Sequence, residues 1–320
     1  MKQQATAAVA GISAPPKKKN LLKRIVEQRC LLTLLLPGVI WMILFCYLPM
    51  YGILLAFKDF NVGFGIWGSE WVGMKWFNEI FADAIFWKTL RNTLFFSLLN
   101  LVVGFPIPII FALMLNELAG AKLFKRTVQT ISYLPHFLSW VFVASFLTTF
   151  FADTGTVNPL LIKLGLISEP YGFMSHTFSF ICVIVLSNVW KGFGYSSIIY
   201  LAAMTSVPQE MYEAAVIDGA NRMQKIWYIT IPAILPTVMV LLILNISGMI
   251  NSNFDQFYLL QNAFVSDVAR VLDVYTYQIG FEQGRFSYST AVGLFKSVVS
   301  FVLLVVANTT SRKLTGESIY

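Results

Sequence analysis

Charged residues are scarce in this sequence of 320 residues: aspartate, glutamate, lysine and arginine together make up only 12%. Soluble domains carry roughly 25% charged residues. Hydrophobic residues make up 57%, which is more than a soluble fold can bury, so lipid is the predicted solvent for most of the chain. The net charge of +7 is distributed in a way that favours a membrane over nucleic acid as its partner.

Cysteine and histidine are also rare, which argues against redox and metal chemistry. Cys30, Cys46 and Cys182 lie in or beside apolar stretches without a CxxC spacing, and they are interpreted as small buried hydrophobic side chains. His136 and His176 are far apart in the sequence, so we expect no metal site. The sequence has no GxxxxGK[ST], GxSxG or HExxH motif. We therefore expect no catalytic residues, no bound cofactor and no ATPase activity in this chain.

Long apolar runs are what the sequence has in abundance. The first, residues 31–57, is far longer than the roughly 7–15 apolar residues of a signal peptide, so it predicts an uncleaved membrane span. Each of the other runs is near the roughly 20 residues that cross a bilayer core. They comprise residues 93–115, 131–151, 178–204, 233–260 and 290–308. The predicted fold class is all-α, a polytopic membrane protein with about six transmembrane helices.

Lysine and arginine placement predicts the orientation of these helices. Seven lie in the tail, residues 1–29, three between the second and third runs, two between the fourth and fifth, and two at the C-terminus. With the N-terminus inside, all of these are cytoplasmic, against seven on the opposite side. We therefore predict a basic cytoplasmic tail (1–29), a membrane domain (30–320) and both termini in the cytoplasm.

The cytoplasmic stretch 206–232 is long for a loop in so hydrophobic a chain. Apolar side chains recur in it every three or four residues, a helical period: Tyr212, Val216, Ala220, Met223 and Trp227. Gly219 interrupts the pattern, and glycine costs a helix about 1 kcal/mol relative to alanine, so we predict a helix–turn–helix bend there. Two interpretations remain open: an amphipathic helix lying on the lipid surface, or a short helix that projects into a groove on another protein.

The same stretch resembles a known family. Glu213-Ala214-Ala215, then three residues, Gly219, nine residues and Ile229-x-Ile231-Pro232 fit the EAA pattern of prokaryotic ABC importer permeases, in which EAA is followed by x3-G-x9-I-x-L-P. The chain departs from that pattern only in having isoleucine for the leucine. Residues 207–220 (VPQEMYEAAVIDGA), 253–256 (NFDQ), 271–275 (VLDVY) and 286–291 (FSYSTA) resemble the carbohydrate branch, that of polysaccharide and multiple-sugar permeases similar to the maltose permease. The resemblance covers residues 31–320 and leaves out the tail 1–20.

This resemblance implies that residues 206–232 form a coupling helix seated in a groove of a cytoplasmic ATPase. Glu213 would pair with a basic residue of the groove, small alanines would permit close approach, and Gly219 would allow the bend. The residues assigned to this coupling role are Tyr212, Glu213, Ala214, Ala215, Asp218, Gly219, Ala220, Asn221 and Met223.

Polar residues inside the spans mark a candidate substrate path. Such groups are costly in lipid and usually face a bundle interior or a cavity, where amides can bond sugar hydroxyls and aromatic rings can support sugar rings. The candidates are Asn188, Trp190, Lys191, Tyr195, Asn245, Asn251, Asp255 and Gln256. Hydrogen bonding between helices, without substrate contact, stays open as an alternative for each.

The resemblance implies a permease subunit of an ATP-driven importer, carrying an oligo- or polysaccharide across the plasma membrane of a prokaryote. It also implies partners: a cytoplasmic ABC ATPase dimer that binds ATP and Mg²⁺, a second homologous permease and an extracytoplasmic solute-binding protein. The alternatives are a permease for another solute, such as peptide or phosphate, a secondary transporter, and a membrane-embedded enzyme, against which the missing His/Asp/Cys cluster argues.

Overall fold

The computed structural model describes residues 28–118 and 120–316, and of residues 314 and 315 it describes the backbone only. The chain forms two units, residues 1–52 and residues 53–320. All of the predicted basic tail except Gln28 and Arg29 lies outside the described residues. The contacts discussed below belong to the second unit.

The described residues contain five helices that are long and apolar enough to cross a membrane, together with one bent helix pair that supplies a sixth candidate. The straight candidates, called the first, second, fourth, fifth and sixth spans, are Arg29–Phe57, Ala84–Glu117, Thr177–Thr205, Arg222–Ser247 and Phe286–Lys313. The third span is the bent pair Lys122–Phe137 and Trp140–Phe150. The all-α polytopic fold with about six spans is therefore confirmed.

Several spans contain segments of tighter or wider helix. The first joins an α-helix to π and 3₁₀ segments: Arg29–Met42, Ile43–Tyr47 and Leu48–Phe57. The second and fifth each contain a π segment: Ala84–Leu99, Asn100–Gly104 (π) and Pro106–Glu117 in the second, and Arg222–Lys225, Ile226–Thr230 (π) and Ile231–Ser247 in the fifth. The sixth belongs to one helix, Phe286–Thr315.

Short elements connect the spans. Two two-residue strands, Lys58–Asp59 and Glu70–Trp71, pair antiparallel with Lys58 opposite Trp71. The connecting helices are Gly65–Gly68, Lys75–Ala82, Val157–Lys163, Gln209–Ile217, Phe254–Leu260, Ser266–Ala269 and Leu272–Tyr277, the last followed by the π segment Gln278–Glu282.

The third span differs from the continuous helix predicted over residues 131–151. Its two helices meet at an angle of 95°. Pro135, which has no N–H to give to a helix, lies in the 3₁₀ turn Leu134–Phe137. Ser139 then accepts the N–H of Phe142 at 3.2 Å and caps the second helix. The sequence stays apolar on both sides of the break that Pro135 and Ser139 impose, so hydropathy alone predicted one continuous helix.

The fifth span also differs from its predicted bounds of 233–260. It begins at Arg222 and ends at Ser247, and a short helix, Phe254–Leu260, follows after a break. Within the break the backbone N–H of Ser252 donates to Asp273 at 2.7 Å. A carboxylate from a neighbouring element thus takes the hydrogen bond that a continuous helix would have made.

Apolar clusters lie on both sides of the bundle's centre. Towards the start of the fourth span, Phe96 and Phe257 meet edge to face with ring centroids 4.7 Å apart, in a cluster that also buries Phe180. Towards its end, Tyr200 and Met204 pack against residues of the second and fifth spans. These two clusters hold the second, fourth and fifth spans together and leave the level between them for polar side chains.

Asp83 caps the second span and ties it to two other elements. Its carboxylate accepts hydrogen bonds from the N–H of Ile85 at 2.8 Å, from the hydroxyl of Tyr275 at 2.5 Å and from that of Tyr288 at 3.1 Å. Burial raises the pKa of Asp83, but hydrogen bonds from Tyr275, Ile85 and Tyr288 together outweigh burial and hold the pKa below its usual range. The ionised carboxylate therefore stabilises the fold above the pKa of an unfolded aspartate, and this contribution is lost as the pH falls through the lowered pKa.

The fourth span approaches the third at a glycine. A Cβ atom added at Gly194 would lie 2.1 Å from the carbonyl oxygen of Ser132, which is a backbone atom that cannot swing away. Because overpacking of this kind costs typically about 1–3 kcal/mol, we expect Gly194→Ala to lower the melting temperature of the purified chain in detergent.

Gly293→Ala is the matched control, since Gly293 lies within the sixth span and an added Cβ would meet nothing within 4 Å. Alanine favours helix there, so its melting temperature should equal or exceed that of the wild type. If the two variants had equal melting temperatures, that result would contradict the close approach of Gly194 to the backbone of Ser132.

Candidate functional site

A cavity of about 450 Å³ opens where the second, fourth and fifth spans meet. We call it the outer cavity, because in the predicted orientation it is nearer the extracytoplasmic side. Amides and hydroxyls supply its polar lining: Ser97, Asn100, Asn188, Asn245, Asn251, Ser252, Asn253 and Gln256. This is a surface of neutral hydrogen-bonding groups, the kind that binds sugar hydroxyls.

A second cavity of about 340 Å³ continues along the fourth span towards Tyr200 and is called the inner cavity. Asn100, Asn188 and Asn245 line both cavities. None of the residues lining the two cavities is charged. The two cavities therefore form one polar groove with three shared amides at its waist.

One hydrogen bond between spans and one within the fifth span hold these amides in place. The Nδ2 of Asn188 donates to the Oδ1 of Asn100 at 2.8 Å, and the Nδ2 of Asn245 donates to the carbonyl oxygen of Leu241 at 2.9 Å. Each bond occupies only part of what an amide offers, which is two donors and an acceptor oxygen. The remaining groups are available to a solute in the groove.

Asn100 was not among the residues predicted for the path, although it is central to the waist. It begins the π segment Asn100–Gly104, a kind of local widening that occurs frequently at functional sites. A Cβ atom added at Gly104 would lie 2.4 Å from Asn100 Oδ1, so glycine leaves the room in which this amide lies. An asparagine in an apolar run, four residues before a glycine, is the signal that could have identified it.

The structure brings five of the predicted path residues to the groove. Asn188, Asn245, Asn251 and Gln256 line the outer cavity, and Tyr195 lines the inner cavity together with Asn188 and Asn245. Their contact with substrate remains a prediction.

Gln256 has a structural task as well. It is only 1% exposed, and its Nε2 donates to the carbonyl oxygen of Ile184 at 2.8 Å and to the Oγ of Ser187 at 3.0 Å. These bonds attach the short helix Phe254–Leu260 to the fourth span. For Gln256, the alternative of hydrogen bonding between helices therefore accounts for both bonds that Nε2 donates. The side chain nevertheless also lines the outer cavity.

The other three predicted path residues do not line either cavity. Trp190 is 44% exposed on the fourth span, and Asp255 is exposed in the first turn of the helix Phe254–Leu260. Lys191 donates through Nζ to the carbonyl oxygen of His136 at 2.7 Å, with its charge 5.5 Å from the ring centroid of Trp140. Lys191 therefore connects the fourth span to the bend of the third.

A second intramembrane lysine is paired, and its partner was not predicted. Lys296 of the sixth span forms an ion pair with Asp273, whose other oxygen accepts from both the N–H and the hydroxyl of Ser252, at 2.7 and 2.8 Å. Both charged side chains are largely shielded from solvent. This pair fixes the break that contributes Asn251 and Ser252 to the outer cavity.

The cytoplasmic stretch forms the bend predicted at Gly219. The helix Gln209–Ile217, called the elbow helix, ends there: Gly219 has a φ of +76°, and the N–H of Ala220 donates back to the carbonyl oxygen of Ala215 at 2.8 Å. Asn221 then starts the next helix with a reciprocal capping box with Gln224. Glycine is required because the left-handed conformation is costly for residues with a Cβ.

One side chain attaches the elbow helix to the fifth span. The hydroxyl of Tyr212 lies 2.9 Å from Oγ1 of Thr230, which is 1% exposed. Most of the other elbow residues are exposed: Val216 is 58% and Ile217 is 86% exposed. Among the remaining residues assigned to coupling, Glu213, Ala214, Asp218, Gly219, Asn221 and Met223 are exposed, and Ala215 and Ala220 are half-buried. The elbow helix therefore presents a free surface that includes apolar side chains.

Residues 104–315 match the family described as "Binding-protein-dependent transport system inner membrane component". Among curated proteins, the chain is 44% identical over 318 residues to the polygalacturonan/rhamnogalacturonan transport system permease protein YteP of Bacillus subtilis (strain 168), covering 99% of this chain and 98% of that protein. It is 30% identical over 236 residues to the arabinooligosaccharides transport system permease protein AraP of the same organism, covering 72% of each chain.

Solved structures show the same architecture. One chain in the crystal structure of a bacterial alginate ABC transporter in complex with an alginate pentasaccharide-bound periplasmic protein matches with a TM-score of 0.85 and 37% identity, over 94% of this chain and 100% of that one. A chain from a transporter that imports the acidic polysaccharide alginate matches with a TM-score of 0.84 and 38% identity, over 93% and 100% of the two chains.

The cavity lining generates a test of the path. Asn251 is exposed and lines the outer cavity, whereas Asp255, only four residues later and also exposed, does not. We expect Asn251→Leu to lower solute uptake by cells, because the variant replaces hydrogen-bonding groups of the groove with an apolar side chain. Asp255→Leu should retain uptake, with both rates normalised to the amount of protein in the membrane. A loss confined to Asp255→Leu would place the path elsewhere.

Proposed function

The chain belongs to the family of binding-protein-dependent transport system inner membrane components, and on that premise we propose that it forms half of a carbohydrate path in an ATP-driven importer. It is a membrane-spanning permease subunit of the prokaryotic plasma membrane. The observation that carries the proposal is the groove along the fourth span, with the amides of Asn100, Asn188 and Asn245 at its waist.

Carbohydrate is the cargo that the groove and the relatives favour together. Asn100, Asn188 and Asn245 offer neutral donors and acceptors suited to hydroxyl groups. A phosphate ion would call for several cationic or backbone N–H ligands converging on it, and no charged side chain is part of the lining of the groove. Peptides would also bond to amides, but the named cargoes of the relatives reported above are polygalacturonan or rhamnogalacturonan and arabinooligosaccharides, and that of the solved transporters is alginate.

The free surface of the elbow helix supports coupling to a separate cytoplasmic ATPase dimer, which would bind ATP and Mg²⁺. A helix lying on lipid would direct its apolar side chains to the bilayer and its charged residues to water. Instead Glu213 lies three and four residues before Val216 and Ile217, so a charged and two apolar side chains share one exposed face of the helix, which is held to the fifth span through Tyr212. A short helix with such a surface is suited to bind in a groove on another protein.

Two further partners complete the proposed importer. Three spans of this chain contribute the lining of the groove, and we propose a second homologous permease as the opposite wall. An extracytoplasmic solute-binding protein would deliver the carbohydrate, as the periplasmic protein accompanies the alginate transporter.

ATP-dependent uptake is the decisive measurement. The complex, purified from cells that express this chain with its partners, is reconstituted into liposomes with the binding protein outside and Mg²⁺-ATP inside. We expect oligogalacturonides or arabinooligosaccharides to accumulate only with hydrolysable ATP. Uptake that persists without nucleotide and follows an ion gradient would instead identify a secondary transporter, and ATP-driven uptake of peptide or phosphate alone would identify another cargo.

The bend at Gly219 offers a sharp test of coupling. Alanine at a position with φ of +76° is strained, so Gly219→Ala changes the direction in which the elbow helix leaves the fifth span. We expect ATP-dependent uptake to be lost while the chain still inserts into the membrane. The charge reversal Glu213→Lys should have the same effect if Glu213 pairs with a basic residue of the ATPase.

Gly165→Ala is the matched control, because Gly165 has a φ of +72°, is equally open around its Cβ position and lies in a loop far along the chain from the elbow helix. It carries the same backbone strain without altering the elbow helix. Normal uptake by Gly219→Ala, or an equal loss in both variants, would argue against coupling through this bend.

A further inference from the structure

Lys191 is a cation within the fourth span that has no carboxylate partner among the described ion pairs. Its Nζ donates one hydrogen bond, to the carbonyl oxygen of His136, and lies over the indole ring of Trp140. Lys296 of the sixth span, in contrast, has Asp273 as its counter-ion. Lys191 is therefore a charge in the middle of a span that the described ion pairs leave without an opposite charge.

Such a charge is costly to keep. Ionisable side chains within membrane spans are rare and mark substrate or ion pathways where they occur. A carbonyl oxygen and an indole face lower the cost of the ammonium group, but they do not neutralise it. An ammonium group has three N–H donors, and one is occupied by His136, so donors remain for another acceptor.

The position of Lys191 places this charge at the edge of the groove. It is one helical turn from Asn188 and one from Tyr195, and both of these line the inner cavity. The ring of Tyr195 stacks on that of His136 with centroids 3.9 Å apart and planes 2° from parallel. The ammonium group of Lys191 is thus linked through His136 to Tyr195, which lines the inner cavity, while Lys191 itself is not part of the lining. We call Lys191, His136, Tyr195 and Trp140 the lysine–aromatic cluster.

We propose that Lys191 binds a carboxylate of the cargo, so that the imported carbohydrate is acidic and contains uronate residues. The inference rests on the proposed function and narrows its substrate class. A carboxylate is the anionic group that uronic acids carry on an otherwise neutral sugar ring, and the ammonium group would receive it in a charge-assisted hydrogen bond. The amides of the groove would bond the hydroxyls, while the stacked rings of Tyr195 and His136 support the sugar ring.

A purely structural role for Lys191 makes a different prediction. As a link between the fourth span and the bend of the third, it would support assembly, and its loss would reduce uptake of every cargo alike. If Lys191 instead binds a carboxylate of the cargo, its loss selectively reduces the uptake of anionic cargo. Comparing one probe with free carboxylates and one whose carboxylates are masked as methyl esters separates these roles.

The experiment uses the complete complex in liposomes with the binding protein outside and Mg²⁺-ATP inside. The probes are trigalacturonate and its fully methyl-esterified form, at equal concentrations. We expect Lys191→Met to lower trigalacturonate uptake by about tenfold or more, the effect of losing one hydrogen bond to a charged group, and to leave ester uptake unchanged. Lys191→Arg should restore trigalacturonate uptake because it keeps the charge.

Lys88→Met is the matched control, since it removes a lysine whose charge is paired with Asp267 and which does not line the groove. It should leave the ratio of the two uptake rates at the wild-type value, and co-purification of the partners should be equal for all variants. Equal losses of both probes in Lys191→Met, or no loss, would overturn the role of Lys191. A wild type that imports neutral oligosaccharides but not trigalacturonate would overturn it too, while carbohydrate import stands; absence of ATP-dependent uptake of any oligosaccharide would overturn both.

Discussion

Lipid offers no hydrogen bonds, so every interruption of a helix at membrane depth has to be satisfied from within the protein. This constraint explains how the groove is built. At the bend of the third span the carbonyl oxygen of His136 accepts from Lys191, which lies 55 residues further along the chain. At the break after the fifth span the N–H of Ser252 finds Asp273. Side chains from other elements thus replace the bonds that continuous helices would have made.

The interruptions are also where polar groups enter the bundle. Asn100 stands at the start of the π segment of the second span, and Asn251 and Ser252 stand in the break after the fifth. All three line the outer cavity. Because the apolar clusters around Phe257 and Tyr200 hold the spans above and below this level, the polar lining can be placed between them without loosening the helix contacts.

Hydropathy, a local property, was sufficient to predict the existence of the spans and much of their extent. The fourth span, predicted at 178–204, is observed as Thr177–Thr205, and the glycine bend of the cytoplasmic stretch was placed at the correct residue. The break in the third span escaped prediction because its surroundings remain apolar, so that only Pro135 and Ser139 marked it.

The sequence predicted which types of residue form the candidate site, but it did not predict their contacts in full. The contacts that decide the role of each residue join positions distant in sequence. That asparagines of the fourth and fifth spans line a cavity follows from the cost of amides in lipid. Sequence spacing could not show that Gln256 donates to Ile184, 72 residues away. Nor could it show that Lys296 has a counter-ion while Lys191 donates to a carbonyl oxygen instead. Only the tertiary arrangement separates amides that hold helices from amides that face a solute.

The fifth span provides a mechanical connection between the elbow helix and the groove. The hydroxyl of Tyr212 is hydrogen-bonded to Thr230, and from there one helix, Ile231–Ser247, which contains Pro236, leads to Asn245. Fifteen residues of helix correspond to about 22 Å, so this helix reaches from the contact with the elbow helix to the waist of the groove. In the proposed coupling, a displacement of the elbow helix is passed along this helix to Asn245 and to the break that begins at Gly248. Since Asn245 lines both cavities, the waist of the groove is the place where such a displacement changes what a solute meets.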